Sequence, residues 1–282
     1  MSKNKKHRTA SLLLPLRLWI GKKLFGQVGP HGVRVSSDRM IKGPCPMSEL
    51  AGLQYVTGHT TIPVPKIFKT HYRNGDLYIE MEYVCGMDLQ EAWYRGCLSQ
   101  EQTQSIVTEV ASYVDQLRKL EPPREGIVTS ANLDGVLDHR VGSSTFGPFT
   151  NHEGFHTYLR AGIPIEKCNE ILGPEITECH SRRYRSSFTH ADLAPRNIIV
   201  DNGKVSAIVD WEFSGWYPEY WEYTKAHYAP VNRPEWYEGL RNTMERYDDE
   251  LEAERILWRQ LDDPQYLLRG KEHLVPGLDL KR

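Results

Sequence analysis

Asp192, Asn197 and Asp210 are the side chains of this sequence best suited to carry chemistry. They lie in one run from Phe188 to Trp216, FTHADLAPRNIIVDNGKVSAIVDWEFSGW. Two short apolar stretches, Ile198 to Val200 and Val205 to Val209, flank Asn202-Gly203. That dipeptide marks a tight hairpin, because both central turn positions must accept φ > 0. With Asp201 opposite Lys204, strict alternation puts Ile199 opposite Ser206 and Asn197 opposite Ile208, so Asn197 and Asp210 meet at the open end. Asp192 and His190 sit on the loop entering the hairpin. A carboxylate, an amide and a second carboxylate then share one small volume. Phosphoryl transfer needs such a set: hard oxygen ligands for Mg²⁺, and a group that aims the acceptor hydroxyl in line with the leaving oxygen. Asn197 and Asp210 are the candidate metal ligands, Asp192 the candidate base or orienter, and His190 the brace of the loop. Each also has a plain alternative, since short polar residues cap turns and end strands.

The string His190-x-Asp192-x-x-x-x-Asn197, followed by a hairpin and Asp210, resembles the catalytic loop and metal aspartate of the protein-kinase-like superfamily. Asp210-Trp211-Glu212 is closer to the aminoglycoside phosphotransferase and choline kinase branch. The wording FTHADLAPRN with VDWEFSGWYPEYWEY looks most like the members abundant in filamentous fungi. The resemblance implies a two-lobed α+β kinase-like fold, with a small antiparallel-sheet N-lobe and a larger, mainly helical C-lobe. It implies ATP and Mg²⁺ as cofactors and a small-molecule hydroxyl as acceptor. Lys42, ending Met40-Ile41-Lys42, would be the phosphate-contacting lysine, and Glu49 its ion-pair partner. Glu82, Tyr83 and Val84 would form the adenine-contacting hinge. The rival from another class is a catalytically silent nucleotide-binding protein, and a protein kinase ranks third. The departures are the missing GxGxxG, with Gly29-Pro30-His31-Gly32 in its place, and Ala191 where relatives often carry glycine.

Composition fits a globular chain of 282 residues, 39% hydrophobic and 26% charged. A net charge of −2 gives no sign of a nucleic-acid partner. Five scattered cysteines with no CxxC pair argue for a reducing, cytoplasmic compartment and against a disulfide or zinc framework. Residues 2 to 9, SKNKKHRT, are basic, and Leu12 to Ile20 are mostly apolar but interrupted by Pro15 and Arg17. We read a basic tail and a short helix packed on the first lobe, with no stable membrane association and a monomer or weak dimer. A membrane-surface helix using Leu13, Leu16, Trp19 and Ile20 with Arg17, Lys22 and Lys23 stays open.

The elements that must position the site follow from periodicity and punctuation. We divide the chain into 1–23 (tail and helix), 24–84 (N-lobe) and 85–282 (C-lobe). Strands are expected at Val33–Val35 and Arg39–Lys42, then at Lys66–Tyr72 and Leu77–Tyr83 across Asn74-Gly75. A helix opens near Pro46 with Ser48 as N-cap, buries Leu50, Leu53 and Val56, and stops at Gly58. Ser99 and Gln102 form a capping box for a helix ending before Pro122-Pro123. Residues 121 to 152 read as a long irregular connection, with a helix following from His152 to Arg160. Trp216-Tyr217-Pro218-Glu219 reads as a loop feeding a helix with Pro218 in its first turn, which leaves no platform for a peptide substrate. The aromatic patch Trp211, Trp216, Tyr217, Tyr220, Trp221 and Tyr223 is read as core. Glu212 could line the acceptor site, and Asp248-Asp249-Glu250 would suit a cationic acceptor or simply a solvated helix face.

Overall fold

Short runs of alternating residues, punctuated by turns such as Asn74-Gly75, build the first part of the chain into a sheet, as their periodicity requires. The computed structural model describes residues 13–228, 231, 233–261 and 263–271; the basic tail lies outside them. The chain divides into two compact units, one of residues up to 116 together with 192–214, the other of 117–191 and 215 onward.

In the first unit, α1 (Leu14–Leu24) precedes β1 (Gln27–Val28), β2 (Gly32–Arg34), β3 (Arg39–Cys45), α2 (Met47–His59), β4 (Ile67–Arg73) and β5 (Asp76–Glu82). The strands form an antiparallel sheet in the order β1-β2-β3-β5-β4. Gly29-Pro30-His31 is the turn of the β1–β2 hairpin, with Val28 opposite Gly32. Asn74 and Gly75 both have positive φ, as their turn predicts. β6 (Met87–Asp88), α3 (Leu89–Tyr94) and α4 (Gln100–Arg118) follow. The expected capping box at α4 is present: Ser99 Oγ accepts from the Gln102 N–H, and Gln102 Oε1 accepts from the Ser99 N–H. Further on come β9 (Ile198–Asp201) and β10 (Lys204–Ile208), which join β6 in a second sheet, β10-β9-β6.

Two expectations for α2 change. Its N-cap is Pro46, without a side-chain cap, because the Ser48 hydroxyl is donated to the Glu212 carbonyl at 2.7 Å. It also runs through Gly58 to His59, where Tyr55 and His59 stack at 4.2 Å and the Thr60 N–H bonds to Val56 O. Leu50, Leu53 and Val56 are buried as predicted.

The second unit holds β7 (Thr129–Ser130), α5 (His152–Leu159), α6 (Ile165–Ile171), α7 (Pro174–Ser181), β8 (Ser186–Thr189), β11 (Gly215–Pro218), α8 (Trp221–Ala226), α9 (Pro234–Thr243), α10 (Asp248–Gln260) and α11 (Pro264–Lys271). Trp216-Tyr217-Pro218 is therefore a strand, not a loop. β11 is the centre of the sheet β7-β11-β8, pairing Trp216 with Phe188 and Pro218 with Ser186. Proline is tolerated there because it ends the strand. Trp216, Tyr217, Tyr220, Trp221 and Tyr223 are buried core in this unit, and Trp211 is buried in the other. The acidic run at the start of α10 is spoken for: Asp248 accepts from Tyr223, and Asp249 and Glu250 both pair with Arg182 at 3.0 Å. All five cysteines are free.

Candidate active site

The Asn202-Gly203 turn forms as the dipeptide dictates, with φ of 48° and 75°. Lys204 faces Asp201 and Val205 faces Val200, but Ala207 then faces Ile199 and Ile208 faces Ile198. A bulge at Ser206 thus replaces strict alternation, and the Asn197 carbonyl accepts from the Val209 N–H at 2.9 Å. The extra residue leaves Val205, Ala207 and Ile208 all buried. Bulges of this kind bend a strand and re-aim the side chains beyond it. Here the residue re-aimed is Asp210, held at φ +70°. A non-glycine residue in this region stores of order 1–3 kcal/mol of strain and persists only where its surroundings enforce it. The following turn does so: the Ser214 N–H and hydroxyl both bond to the Trp211 carbonyl, and Trp211 Nε1 donates to Ile208 O.

Three elements deliver charge to this place. Lys42 lies in β3 between Gly32 of β2 and Ile79 of β5, so its backbone is fixed on both sides. Its Nζ donates to Glu49 Oε2 at 2.8 Å and to Asp210 Oδ1 at 2.6 Å. Glu49, in the first turn of α2, is almost wholly buried. The ion pair expected of it is formed. Burial works against the Lys42 charge, but Glu49 and Asp210 outweigh it and hold the ammonium well above the usual lysine range. Burial pushes the Glu49 carboxyl up, with Lys42 opposing and Asp210 reinforcing the shift. Glu212 is also raised, by burial first and then by Asp210, with Asp192 adding and Lys42 opposing. Glu212 therefore feels Asp210, Lys42 and Asp192 at once. Carboxylate oxygens of Glu49, Asp210 and Glu212 lie within 4.8 Å of one another.

The catalytic-loop candidates form a second, connected group. A single 3-10 turn, Pro195–Asn197, bends the chain so that Asn197 Nδ2 donates to the Asp192 carbonyl at 2.9 Å and to Asp192 Oδ2 at 2.8 Å. With its nitrogen so committed, the amide presents its oxygen elsewhere, as a metal ligand must. Arg196 Nη2 donates to both oxygens of Asp192 at 2.6 Å. Sequence reading passed over Arg196, although its i,i+4 spacing from Asp192 was a usable signal.

His190 belongs to the other unit, where it is buried, and its N–H donates to Glu222 Oε2 at 2.6 Å. The Ala191 N–H reaches Glu222 Oε1. Ala191 has φ +64°, a conformation that favours glycine. Glu222 lies 32 residues from His190, and nothing local announces the contact. Of the hinge candidates, Glu82 ends β5 and its carboxylate accepts from the Lys66 N–H. The Tyr83 N–H is already donated to Asp38 O, while the Tyr83 ring stacks under Arg34 at 3.9 Å.

The model of the phosphotransferase enzyme family, APH, matches residues 47–262. The chain belongs to the APH family. Among solved structures, this APH member is similar to APH(2")-IIia in complex with GDP and kanamycin, at 15% identity and TM-score 0.59, covering 93% of each chain. It is also similar to a thermostable mutant of the aminoglycoside phosphotransferase APH(4)-Ia in complex with ADP and hygromycin B. There the identity is 15% and the TM-score 0.56, over 86% of this chain and 84% of the other. These likenesses establish the kinase-like α+β fold. A search of curated proteins gave no match.

Proposed function

We propose that this APH member transfers the γ-phosphoryl group of ATP to a hydroxyl of a small molecule, with Mg²⁺ as the metal. The observation that carries the reading is Lys42 bridging Glu49 and Asp210, in the same unit as the Asp192–Asn197 pair. The donor set fits the cation: Asp210 and the Asn197 amide offer hard oxygens, and Glu212 adds a carboxylate beside Asp210. Held by Asp210 and Asn197, the ion would supply positive charge to offset that of the phosphates. Lys42 exchanges a carboxylate for the α- and β-phosphates while Glu49 keeps it in place. Asp192, oriented by Asn197 and Arg196, accepts the hydroxyl's proton. His190 and Ala191, tied through their N–H groups to Glu222, brace the start of the loop. Nucleotide in the similar structures, GDP in one and ADP in the other, supports the donor side.

Only Trp211 to Ser214 separate Asp210 from β11, which leaves no bed for a peptide chain and favours a small acceptor. A cationic acceptor is not supported by the acidic run of α10, since those carboxylates are paired. The wording of the catalytic stretch keeps the filamentous-fungal members as the relatives to compare first, and the reaction is placed in the cytoplasm.

The test uses γ-labelled ATP, Mg²⁺ and a cell extract split into small-molecule and protein fractions, comparing wild type with Asp192→Asn. Label in a small molecule with wild type, reduced roughly 10²–10⁴-fold in the variant while nucleotide still binds, supports the reading. Label in protein would instead favour a protein kinase. Nucleotide binding without transfer to any fraction favours a silent binder.

A further inference from the structure

Helix α1 is apolar on two faces, and only one of them is covered. Its inner face buries Leu14 and lays the backbone of Gly21 against Arg34, where a Cβ would collide with the Arg34 carbonyl. Arg17, counted above with the outward cations, turns inward instead and forks both oxygens of Glu80 at 2.8 Å. The outer face presents Leu13, Leu16, Trp19, Ile20, Leu24 and Phe25, each 40–71% exposed. Among the described residues, these are six of the eleven exposed large hydrophobic side chains. A helix apolar all round is normally buried all round, and so dense an exposed patch marks a surface that something covers.

Charge says what covers it. Lys22 and Lys23 are exposed in the last turn of α1, and the sequence just before the helix adds Lys3, Lys5, Lys6 and Arg8 with no acidic residue from Met1 to Val35. Clustered cations beside Trp, Leu and Ile on one helix are the pattern of a segment lying in the headgroup plane of an anionic bilayer. The helix spans only about 16 Å, half of what crossing needs, and no helix of the described residues is long and apolar enough to cross.

We propose that the outer face of α1 forms a peripheral docking surface for anionic lipid membranes, holding the enzyme at a bilayer surface. The expectation of no stable membrane association would then fail at this one helix.

Co-sedimentation of the full chain with vesicles tests it, using phosphatidylcholine alone and an equal mixture of phosphatidylcholine and phosphatidylserine. Wild type should sediment with the mixed vesicles and much less with the neutral ones. Lys22→Glu with Lys23→Glu should weaken binding by roughly thirtyfold or more. Leu16→Glu with Trp19→Glu should weaken it at least about a hundredfold. Thermal midpoints should not change in either variant, because all four side chains are exposed. Failure to bind either vesicle overturns the proposal, as does equal binding by wild type and both variants. A wild-type dimer that Leu16→Glu converts to monomer, without vesicle binding, would assign the face to a second copy and equally overturn it.

Discussion

Each unit contains a lysine on an aspartate at 2.6 Å, Lys42 on Asp210 in one and Lys225 on Asp138 in the other. The second pair is sealed, with side chains 6% and 0% exposed, and Arg140 and Glu254 form another wholly buried ion pair in the same unit. The first is open, at 18% and 35%, and its lysine faces Glu49 as well, with Glu212 close by. Matched and closed charges of this kind hold a core, whereas an accessible surplus of carboxylates around one lysine is suited to a cation and a phosphate. Backbone strain separates them further, because Asp210 has positive φ and Asp138 does not.

Substitutions should separate the two places in the same way. Asp210→Asn is expected to abolish Mg²⁺-dependent turnover, a fall of roughly 10³-fold or more in labelled-ATP assays, with the thermal midpoint nearly unchanged. A large loss of stability with residual turnover would make Asp210 a core residue like Asp138. Lys225→Met should do the reverse. It strands Asp138 in the interior and should cost about 3–5 kcal/mol in denaturant unfolding.

Lys42→Ala should lower kcat/KM for ATP roughly a hundredfold and leave the fold standing. Its partner Glu49, already raised by burial, takes up a proton when the lysine is gone. Unfolding of this variant would erase the distinction between the two lysines. Arg196→Ala should reduce kcat by roughly tenfold with little change in KM for ATP, and added guanidinium should restore part of it. An unaltered kcat would reduce the Arg196–Asp192 contact to an ordinary i,i+4 surface pair.

The smallest effect concerns acid. Arg17 holds the Glu80 carboxyl down to about 2, helped by His71 and Arg39 against burial. A carboxyl lowered by folding stabilises above its unfolded value near 4.5, and that stability is lost as pH falls toward 2. The protection of the α1 amides against hydrogen exchange, relative to their intrinsic rates, should therefore fall over that window before the rest of the first unit responds.

Much of this was written locally. Asn202-Gly203 and Asn74-Gly75 form their turns because only such residues accept positive φ cheaply, and Ser99 with Gln102 caps α4 through neighbours three apart. The order His190, Asp192, Asn197, hairpin, Asp210 likewise announced the family. Other features had no local cause. Lys42 and Asp210 are 168 residues apart, Glu222 reaches the His190 N–H from 32 residues away, and Trp216 to Pro218 became strand because β8 lay ready to pair with them, joined by β7 at Trp216. The bulge at Ser206 goes with the burial of Ala207 and Ile208 in succession, which strict alternation does not provide. The two Asn-Gly turns and the α4 cap depend on side chains a few residues away, so the sequence alone determined them, whereas the α2 cap was lost to distant Glu212. Charge pairing and register depend on which distant surfaces are buried together, and only the tertiary structure decides that.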